Sequence, residues 1–423
     1  MGRTRWAWLL PCLLMLAAPA SAADTSSDIE AIKQQIKLLM QRVEELEKRQ
    51  QAEQAASEAA QPEAAAVPSA APAERSTAAV DQEAVPAPST PGVTTAENTG
   101  NPSISVIGTF AGSMLRGGNG VNTSSFLPLS EAEFVFGAAV DPHTRLDVTV
   151  TAANGGMSVE EGFLTVQLPA ALRLRAGRKF IPLGRANEVH PHALVYADTP
   201  NGLVNLFGPE KFIGEGVFLD RPFYLGDSVH QLTVGFFRTS NDVAFDPTGA
   251  YRYAGIGRWS GMWDLSDTST LELGASYVSG RNGIAAGSRS EIFGGHLALK
   301  QVGFDHRGWS LEGEWNRSRI HLGVTRSLTD GAYLLGEYDF SRHWLVFGRY
   351  DYSRMTGLKV ETAYSGGGAW KISEFQSLTL QYKHTRHALA QTAAQLGLAP
   401  DSKANELFLR WVVAIGPHPA HPY

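Results

Sequence analysis

Three features are scarce in this sequence of 423 residues: cysteine, long apolar runs and basic clusters. Cys12 is the only cysteine, so disulfide bonds and thiolate metal sites are excluded after residue 22. No later apolar run is long enough for a transmembrane helix. The formal net charge of -6, without a basic cluster, argues against nucleic acid as a partner. No Gly-x-Ser-x-Gly motif or other nucleophile arrangement is present, so we predict neither catalytic residues nor an enzyme.

The first residues have the pattern of a secretory signal peptide. Arg3 and Arg5 form a basic start, residues 6–18 are apolar, and Ala20-Ser21-Ala22 offers a cleavage site of small residues. We therefore predict a signal peptide over residues 1–22.

Residues 24–54 predict a short periplasmic helix with a coiled-coil seam. Its apolar side chains recur in alternating steps of three and four, at Ile29, Ile32, Ile36, Leu39, Val43 and Leu46. Isoleucine at both seam positions of the first heptad favours a homo-trimer over a dimer. A lone amphipathic helix that rests on another surface is the alternative.

Residues 55–101 are rich in Ala, Pro, Glu, Ser and Thr and have almost no large apolar side chains. Such a segment buries too little surface to order itself, so we predict a disordered linker. It would act as a spacer, with binding to cell-wall polymer as the alternative.

Residues 102–423 predict an all-β domain, because apolar and polar residues alternate in segment after segment. Segment 344–352 is typical, with two opposite faces that carry Trp344, Val346, Gly348, Tyr350 and Tyr352 on one side and Leu345, Phe347, Arg349 and Asp351 on the other. One face suits lipid and the other suits water. This is the pattern of a transmembrane antiparallel β-barrel in contact with outer-membrane lipid.

Short turns and longer loops alternate along this domain nearly without exception. Short turns are predicted near residues 141–143, 169–171, 225–227, 264–268, 304–306, 341–342 and 373–375, and longer loops near residues 116–124, 180–210, 241–249, 280–289, 319–329 and 387–403. Counting the alternating segments gives about sixteen strands. In outer-membrane barrels the short turns are periplasmic and the long loops external. We therefore expect the outer membrane of a Gram-negative bacterium as the location, with the N-terminal region in the periplasm.

Two groups of histidines suggest a metal site. The candidate ligands are Glu188, His190, His192 and Asp198 in the longest loop, and His418 and His421 in the tail. These residue types suit zinc or another divalent metal, which is the one cofactor that the sequence suggests. Surface histidines or histidines that hydrogen-bond within the structure are the alternative.

Charged residues of both signs are expected to line the lumen. The candidates are Arg173, Arg175, Arg349, Arg410, Glu312 and Glu337. The arginines would draw anions through a constriction. Alternatively, basic and acidic side chains pair with each other and brace the wall.

The sequence resembles two known families. The stretch from Leu174 to Gly184, LRAGRKFIPLG, is similar to the Gly-basic-x-Phe-x-x-Pro-x-Gly segment of phosphate-selective porins of the O/P type. That resemblance implies a sixteen-stranded, usually trimeric barrel with an N-terminal periplasmic coiled coil.

A second resemblance covers more of the domain. Four segments resemble the zinc-regulated TonB-dependent outer-membrane receptor-like proteins. They are Gly177-Arg178-Lys179-Phe180, the stretch Asn187 to Ala193 (NEVHPHA), Asp198-Thr199-Pro200 and the terminus from Gly416. A TonB-dependent receptor needs about 22 strands around a plug. The roughly 320 residues after the linker suffice for sixteen strands and leave no room for a plug.

The sequence therefore predicts a porin-like channel for small solutes or ions, by passive diffusion and with an anion preference as one option. A metal-linked uptake or binding barrel that uses the histidine loop is the second hypothesis. A structural barrel that tethers the envelope is the third.

Overall fold

The computed structural model describes residues 102–416, except residues 119, 242, 247–249, 285 and 304. The predicted signal peptide (1–22), coiled coil (24–54) and linker (55–101) lie outside the described residues, as do His418 and His421 in the tail. Within the described part of the chain, no helix is long and apolar enough to cross a membrane.

The described residues form seventeen β-strands in one antiparallel sheet. The strands are β1 (Ser103–Gly117), β2 (Asn122–Ser125), β3 (Leu129–Asp141), β4 (Thr144–Ala153), β5 (Gly156–Leu168), β6 (Leu172–Phe180), β7 (Ile213–Leu225), β8 (Ser228–Thr239), β9 (Arg252–Ser266), β10 (Ser269–Arg281), β11 (Arg289–Val302), β12 (Gly308–Leu322), β13 (Thr325–Ser341), β14 (Trp344–Met355), β15 (Glu361–Ser373), β16 (Gln376–Arg386) and β17 (Ala404–Ile415).

The sheet closes on itself. β1 pairs with β17 from Val106 opposite Ile415 to Gly117 opposite Ala404. The short β2 continues the line of β3 alongside β1, so the two strands together occupy one position in the wall. The prediction of a sixteen-stranded transmembrane barrel is therefore confirmed, with one extra short strand.

All the predicted short turns lie between strands at one end of the barrel, which we call the turn end. The opposite end, called the loop end, carries the longer connections and two two-residue turns, at 154–155 and 323–324. The prediction of a long loop over residues 319–329 was wrong: β12 and β13 pair as far as Leu322 opposite Thr325, and only two residues connect them. Polar residues such as Arg319 suggested a loop, but they belong to strands whose backbone hydrogen bonds continue to the turn.

Two loops at the loop end contain helices. Residues 181–212, the inner loop, include a 3-10 turn at Pro191–Ala193 and helix α1 at Asn201–Phe207. Residues 387–403, the cap loop, include helix α2 at Ala390–Gln395.

The side chains of the wall alternate between an outer and an inner face. On β14, Trp344, Val346 and Tyr350 are exposed on the outside, whereas Leu345 and Arg349 are buried inside. An apolar outer face is what a lipid environment stabilises.

The inner face is only partly polar. On the wall from β7 to β11, inward apolar side chains pack against the inner loop and form a hydrophobic core. The wall contributes Phe218, Phe237, Ile256, Val278 and Ile292, the inner loop contributes Leu183, Leu206, Phe207 and Phe212, and Phe245 adds to both. The expectation of a water-facing inner surface therefore fails on this side, because the inner loop covers it.

Candidate functional site: the inner loop in the barrel lumen

The base of the inner loop is closed by one buried amide. The side-chain nitrogen of Asn187 donates to the carbonyls of Ile181 at 2.8 Å and Phe212 at 2.9 Å, and its oxygen accepts from the Phe212 N–H at 2.9 Å. Two donated hydrogen bonds and one accepted one at a single buried side chain tie the two stems together, so the loop enters and leaves the wall at one place.

Asp198 anchors the far side of the loop to two strands. Its carboxylate lies 2.9 Å from Nη2 of Arg349 on β14 and 2.6 Å from Nζ of Lys383 on β16, and it also accepts from Gln381 at 2.5 Å. The Arg349 guanidinium lies over the ring of Tyr196, 4.4 Å from its centroid. Although burial by itself raises the pKa of Asp198, the two cations hold it well below the usual range. The carboxylate is therefore a permanently charged anchor.

Arg410 of β17 holds the middle of the loop by its backbone. Its guanidinium donates to the carbonyls of Pro191 at 2.8 Å and Tyr196 at 2.9 Å, and also to that of Leu194. Three of the five N–H donors of this guanidinium are therefore used to hold the loop backbone.

Arg185, near the start of the loop, contacts the opposite part of the wall. It pairs with Glu272 of β10 and Glu312 of β12, while the backbone N–H groups of residues 185 and 186 donate to Glu314 at 3.0 Å and 3.2 Å. The inner loop therefore touches inward side chains from strands on several sides, which places it across the lumen.

Helix α1 lies against the wall with almost no space between the two backbones. A Cβ built on Gly331 of β13 would lie 2.3 Å from the carbonyl oxygen of Gly202, and one on Gly202 would lie 2.7 Å from the amide of Ala332. Only glycine permits this approach, so the sequence positions the helix through two glycines.

The cap loop is joined to helix α1 at the loop end. Glu361 of β15 accepts from the Thr392 hydroxyl at 3.0 Å and from the Asn205 amide at 3.2 Å. A shared buried carboxylate thus joins α1 and α2 at the loop end, which narrows the mouth of the barrel.

The remaining predicted lumen charges lie nearer the turn end. Arg173 and Arg175 of β6 both pair with the buried Asp220 of β7, at 3.3 Å and 2.7 Å, and Asp220 also accepts from Thr233. These two arginines therefore form part of a wall-bracing network.

Glu337 lies half-buried on the inner face of β13, two residues before Asp339, which pairs with Lys371 at 3.0 Å. Acidic and basic groups thus alternate on the lumen wall at the turn end.

The two loop histidines meet carboxylates from the wall. Nδ1 of His190 and Nδ1 of His192 lie 3.3 Å and 3.2 Å from the same oxygen of Glu133 on β3. His190 also lies 3.6 Å from Glu160 and 3.1 Å from Glu161, both on β5. His190, His192 and Glu133 are buried, and their ligand-type atoms lie within 4.8 Å of one another.

The other candidate metal ligands lie elsewhere. Glu188 pairs with Lys179 at 3.3 Å and with Arg258, and these cations lower its pKa to about 2 against the effect of burial. Asp198 is the anchor described above. The sequence interpretation singled out both histidines and missed the three glutamates, because residues on β3 and β5 give no local sign that they face the loop.

The charges of this cluster depend on each other. Burial alone would lower the pKa of His190, but the hydrogen bonds that it donates to Glu133, Glu160 and Glu161 raise it well above the usual value. Burial lowers the pKa of Lys211 to about 8, although Glu160 and Glu161 act in the opposite direction. The carboxylates therefore stabilise the cationic form of His190, whereas at Lys211 the effect of burial is larger.

No protein-family model matches the chain, and a search of curated proteins found no match. The structure is similar to solved porins. The anion-selective porin from Comamonas acidovorans has a TM-score of 0.53 and 10% sequence identity, and the match covers 74% of this chain and 100% of that one. OmpF of Salmonella typhi, in complex with daunomycin, has a TM-score of 0.51 and 9% identity, with 74% and 97% covered.

The outer-membrane channel DcaP of Acinetobacter baumannii is also similar, with a TM-score of 0.50, 10% identity, and 74% and 97% covered. At these identities the similarity shows the fold, which is that of an outer-membrane porin barrel. The narrower resemblance to zinc-regulated receptor-like proteins stays a prediction.

Proposed function

We propose that this protein is an outer-membrane channel through which small hydrophilic solutes and ions diffuse passively. The observation that carries the proposal is the inner loop, which crosses the lumen of a sixteen-stranded barrel and is anchored to the wall by Asp198, Arg410 and Arg185. A barrel of this size leaves an aqueous lumen unless loops fill it. A loop fixed at many points sets a constriction of constant size.

The same proposal gives the chain an orientation. Outer-membrane barrels of this class place short turns in the periplasm and long loops outside. The turn end would then face the periplasm of a Gram-negative bacterium, and residues 24–101 would lie in that compartment.

We further propose that the channel selects only weakly between anions and cations. At the turn end, basic Arg145, Lys300 and Lys371 face the same lumen as acidic Asp147 and Asp339, and Arg145 and Asp147 form one of the pairs at 2.8 Å. Neighbouring charges of opposite sign leave little net field along the path. In a salt gradient the reversal potential should lie near zero; a value close to the ideal for one ion would contradict weak selectivity.

The experiment is single-channel recording of the full-length protein in a planar bilayer. Stepwise conductance is expected, and a barrel that inserts without steps would overturn the channel proposal. Arg410→Gln should increase open-state noise or conductance, because the middle of the inner loop loses its backbone anchor. Arg342→Gln, the same change in an exposed turn, is the matched control and should leave the trace unchanged.

A further inference from the structure

We propose that Glu133, His190 and His192 form a binding site for a divalent cation of the zinc class, which ties the inner loop to the barrel wall. The two histidines come from the loop, and the glutamate comes from β3. Binding itself is independent of conduction, whereas the effect on conductance rests on the channel function proposed above.

The distances suit a tetrahedral ion. Bonds of about 2.0–2.2 Å place neighbouring ligand atoms roughly 3.4 Å apart. The Glu133 oxygen lies 3.3 Å from Nδ1 of His190 and 3.2 Å from Nδ1 of His192. Two histidine nitrogens and one carboxylate oxygen are a common zinc ligand set.

A fourth ligand is within reach. An oxygen of Glu160 lies 3.6 Å from Nδ1 of His190 and is oriented by the Thr151 hydroxyl at 2.9 Å. The Glu160 side chain keeps 21% of its surface exposed, while that of Glu133 keeps 1%. A cation would therefore reach the buried ligands past Glu160.

The outer contacts also follow the pattern of a metal site. A ligand histidine usually directs its second nitrogen to a carboxylate, which fixes the ring and its tautomer. Nε2 of His190 lies 3.1 Å from Glu161, and the other oxygen of Glu161 accepts from the Phe180 N–H at 2.8 Å. Glu161 is thus held by the backbone at the point where the inner loop begins.

The side chains around the three proposed ligands are mostly acidic, which favours the binding of a cation. Glu131 lies on the inner face of β3, two residues before Glu133, and adds a fourth acidic side chain to Glu133, Glu160 and Glu161. Lys211 is the basic neighbour, and its ammonium group donates to the carbonyls of Ala186 and Val189. A divalent ion would balance this excess of negative charge.

Binding would tie the loop to strands that the contacts of Asp198 and Arg410 do not reach. The anchors at Asp198 and Arg410 lead to β14, β16 and β17, whereas the cation would add β3 and β5. The expected consequence is a quieter channel with a smaller conductance when the ion is bound.

The test measures zinc binding by calorimetry on the full-length protein after chelator treatment and dialysis. One Zn²⁺ per chain is expected, and His190→Ala with His192→Ala should abolish it. The matched control is His143→Ala with His306→Ala, because both residues lie exposed in turns. His418→Ala with His421→Ala should also leave binding unchanged. Absence of stoichiometric binding, or binding that survives removal of His190 and His192, would overturn the site.

A second pair of variants separates a metal site from a structural hydrogen-bond network. Glu161→Gln should weaken zinc binding about 10- to 100-fold and keep the stoichiometry at one. Glu133→Gln should remove binding while the barrel still shows its heat-dependent shift on gels. Unchanged affinity in both variants would overturn the proposal.

Conductance recorded from the same preparations distinguishes the two proposals. A protein that conducts but binds no zinc contradicts the site and leaves the channel standing. A protein that binds zinc but never conducts contradicts the channel and leaves the site standing.

Discussion

Single buried charges hold the inner loop. Asp198 contacts two cations that are fully inside the barrel, and each of them comes from a different strand. Removing one partner of a buried ion pair costs about 3–5 kcal/mol, because the other charge stays buried without compensation. One carboxylate therefore contributes a large share of the loop's stability.

Asp198→Asn is expected to lower the stability of the folded barrel by about 3 kcal/mol, since Lys383 loses its close anion, whereas Arg349 keeps Asp351 at 2.8 Å. Urea unfolding in detergent, followed by tryptophan fluorescence, measures the change. Asp227→Asn, in an exposed turn, is the control and should change stability little. Equal midpoints for the two variants would contradict the anchoring role.

Because Asp198 is ionised, we also expect the stability of the barrel to depend on pH. Because the pKa of Asp198 is lower in the folded protein than the ordinary value of 3.8, its contribution is complete above pH 3.8 and is lost as pH falls below it. The stability difference between wild type and Asp198→Asn should be constant from pH 5 to 8 and should shrink below pH 3.8. A difference that instead shrinks as pH rises from 5 to 8 would contradict this assignment.

For single residues, the sequence indicated which side chains are important better than it indicated which side chains they contact. Both loop histidines were recognised from their spacing. Glu133 was not recognised, because only the closed barrel brings this strand residue next to the inner loop, which follows about 50 residues later in the sequence. Asp198 was assigned to metal binding, although it contacts Arg349 from a strand 151 residues away.

At the scale of elements, helix α1 depends on the inner face of β13. The two backbones touch at Gly202 and Gly331, and the helix is only seven residues long. So short a helix is unstable by itself. Its position is therefore determined by the wall.

Gly331→Val is expected to push α1 away from β13, because its side chain would occupy the space of the Gly202 carbonyl. Limited proteolysis should then cleave the inner loop faster. Gly336→Val on the same strand is the matched control, since nothing lies within 4 Å of a Cβ at that position. Equal protection of both variants would show that the contact does not hold the helix.

The strands themselves were largely predictable from alternation and turn residues. The exception at residues 319–329 shows the limit, since polar residues in strands that extend past the apolar part of the sheet resemble a loop. The path of the inner loop was not predictable, because its contacts join segments that are distant in sequence.

At the scale of the whole molecule, the barrel fold is established and the assembly is a prediction. The isoleucine seam of residues 24–54 favours three copies. Deletion of residues 24–54 behind the signal peptide should reduce the mass of the detergent-solubilised particle from that of a trimer. A deletion of similar length within residues 55–101 is the control and should keep the trimer. Trimers that persist after the deletion of residues 24–54 would show that the barrels assemble without the coiled coil.

Closure by the first and last strands has a consequence for biogenesis. β1 can complete its pairing only when β17 has been made, and the inner loop, made midway, has anchors on β10, β12, β14, β16 and β17. Contacts at such long sequence separation form slowly. Asp198 and Arg185 have their partners on β10 to β16, but until the last strand is present the loop lacks the contacts of Arg410 with the carbonyls of Pro191, Leu194 and Tyr196. The last anchor of the loop and the closure of the wall therefore form together, and a chain truncated before β17 should remain a target for periplasmic proteases.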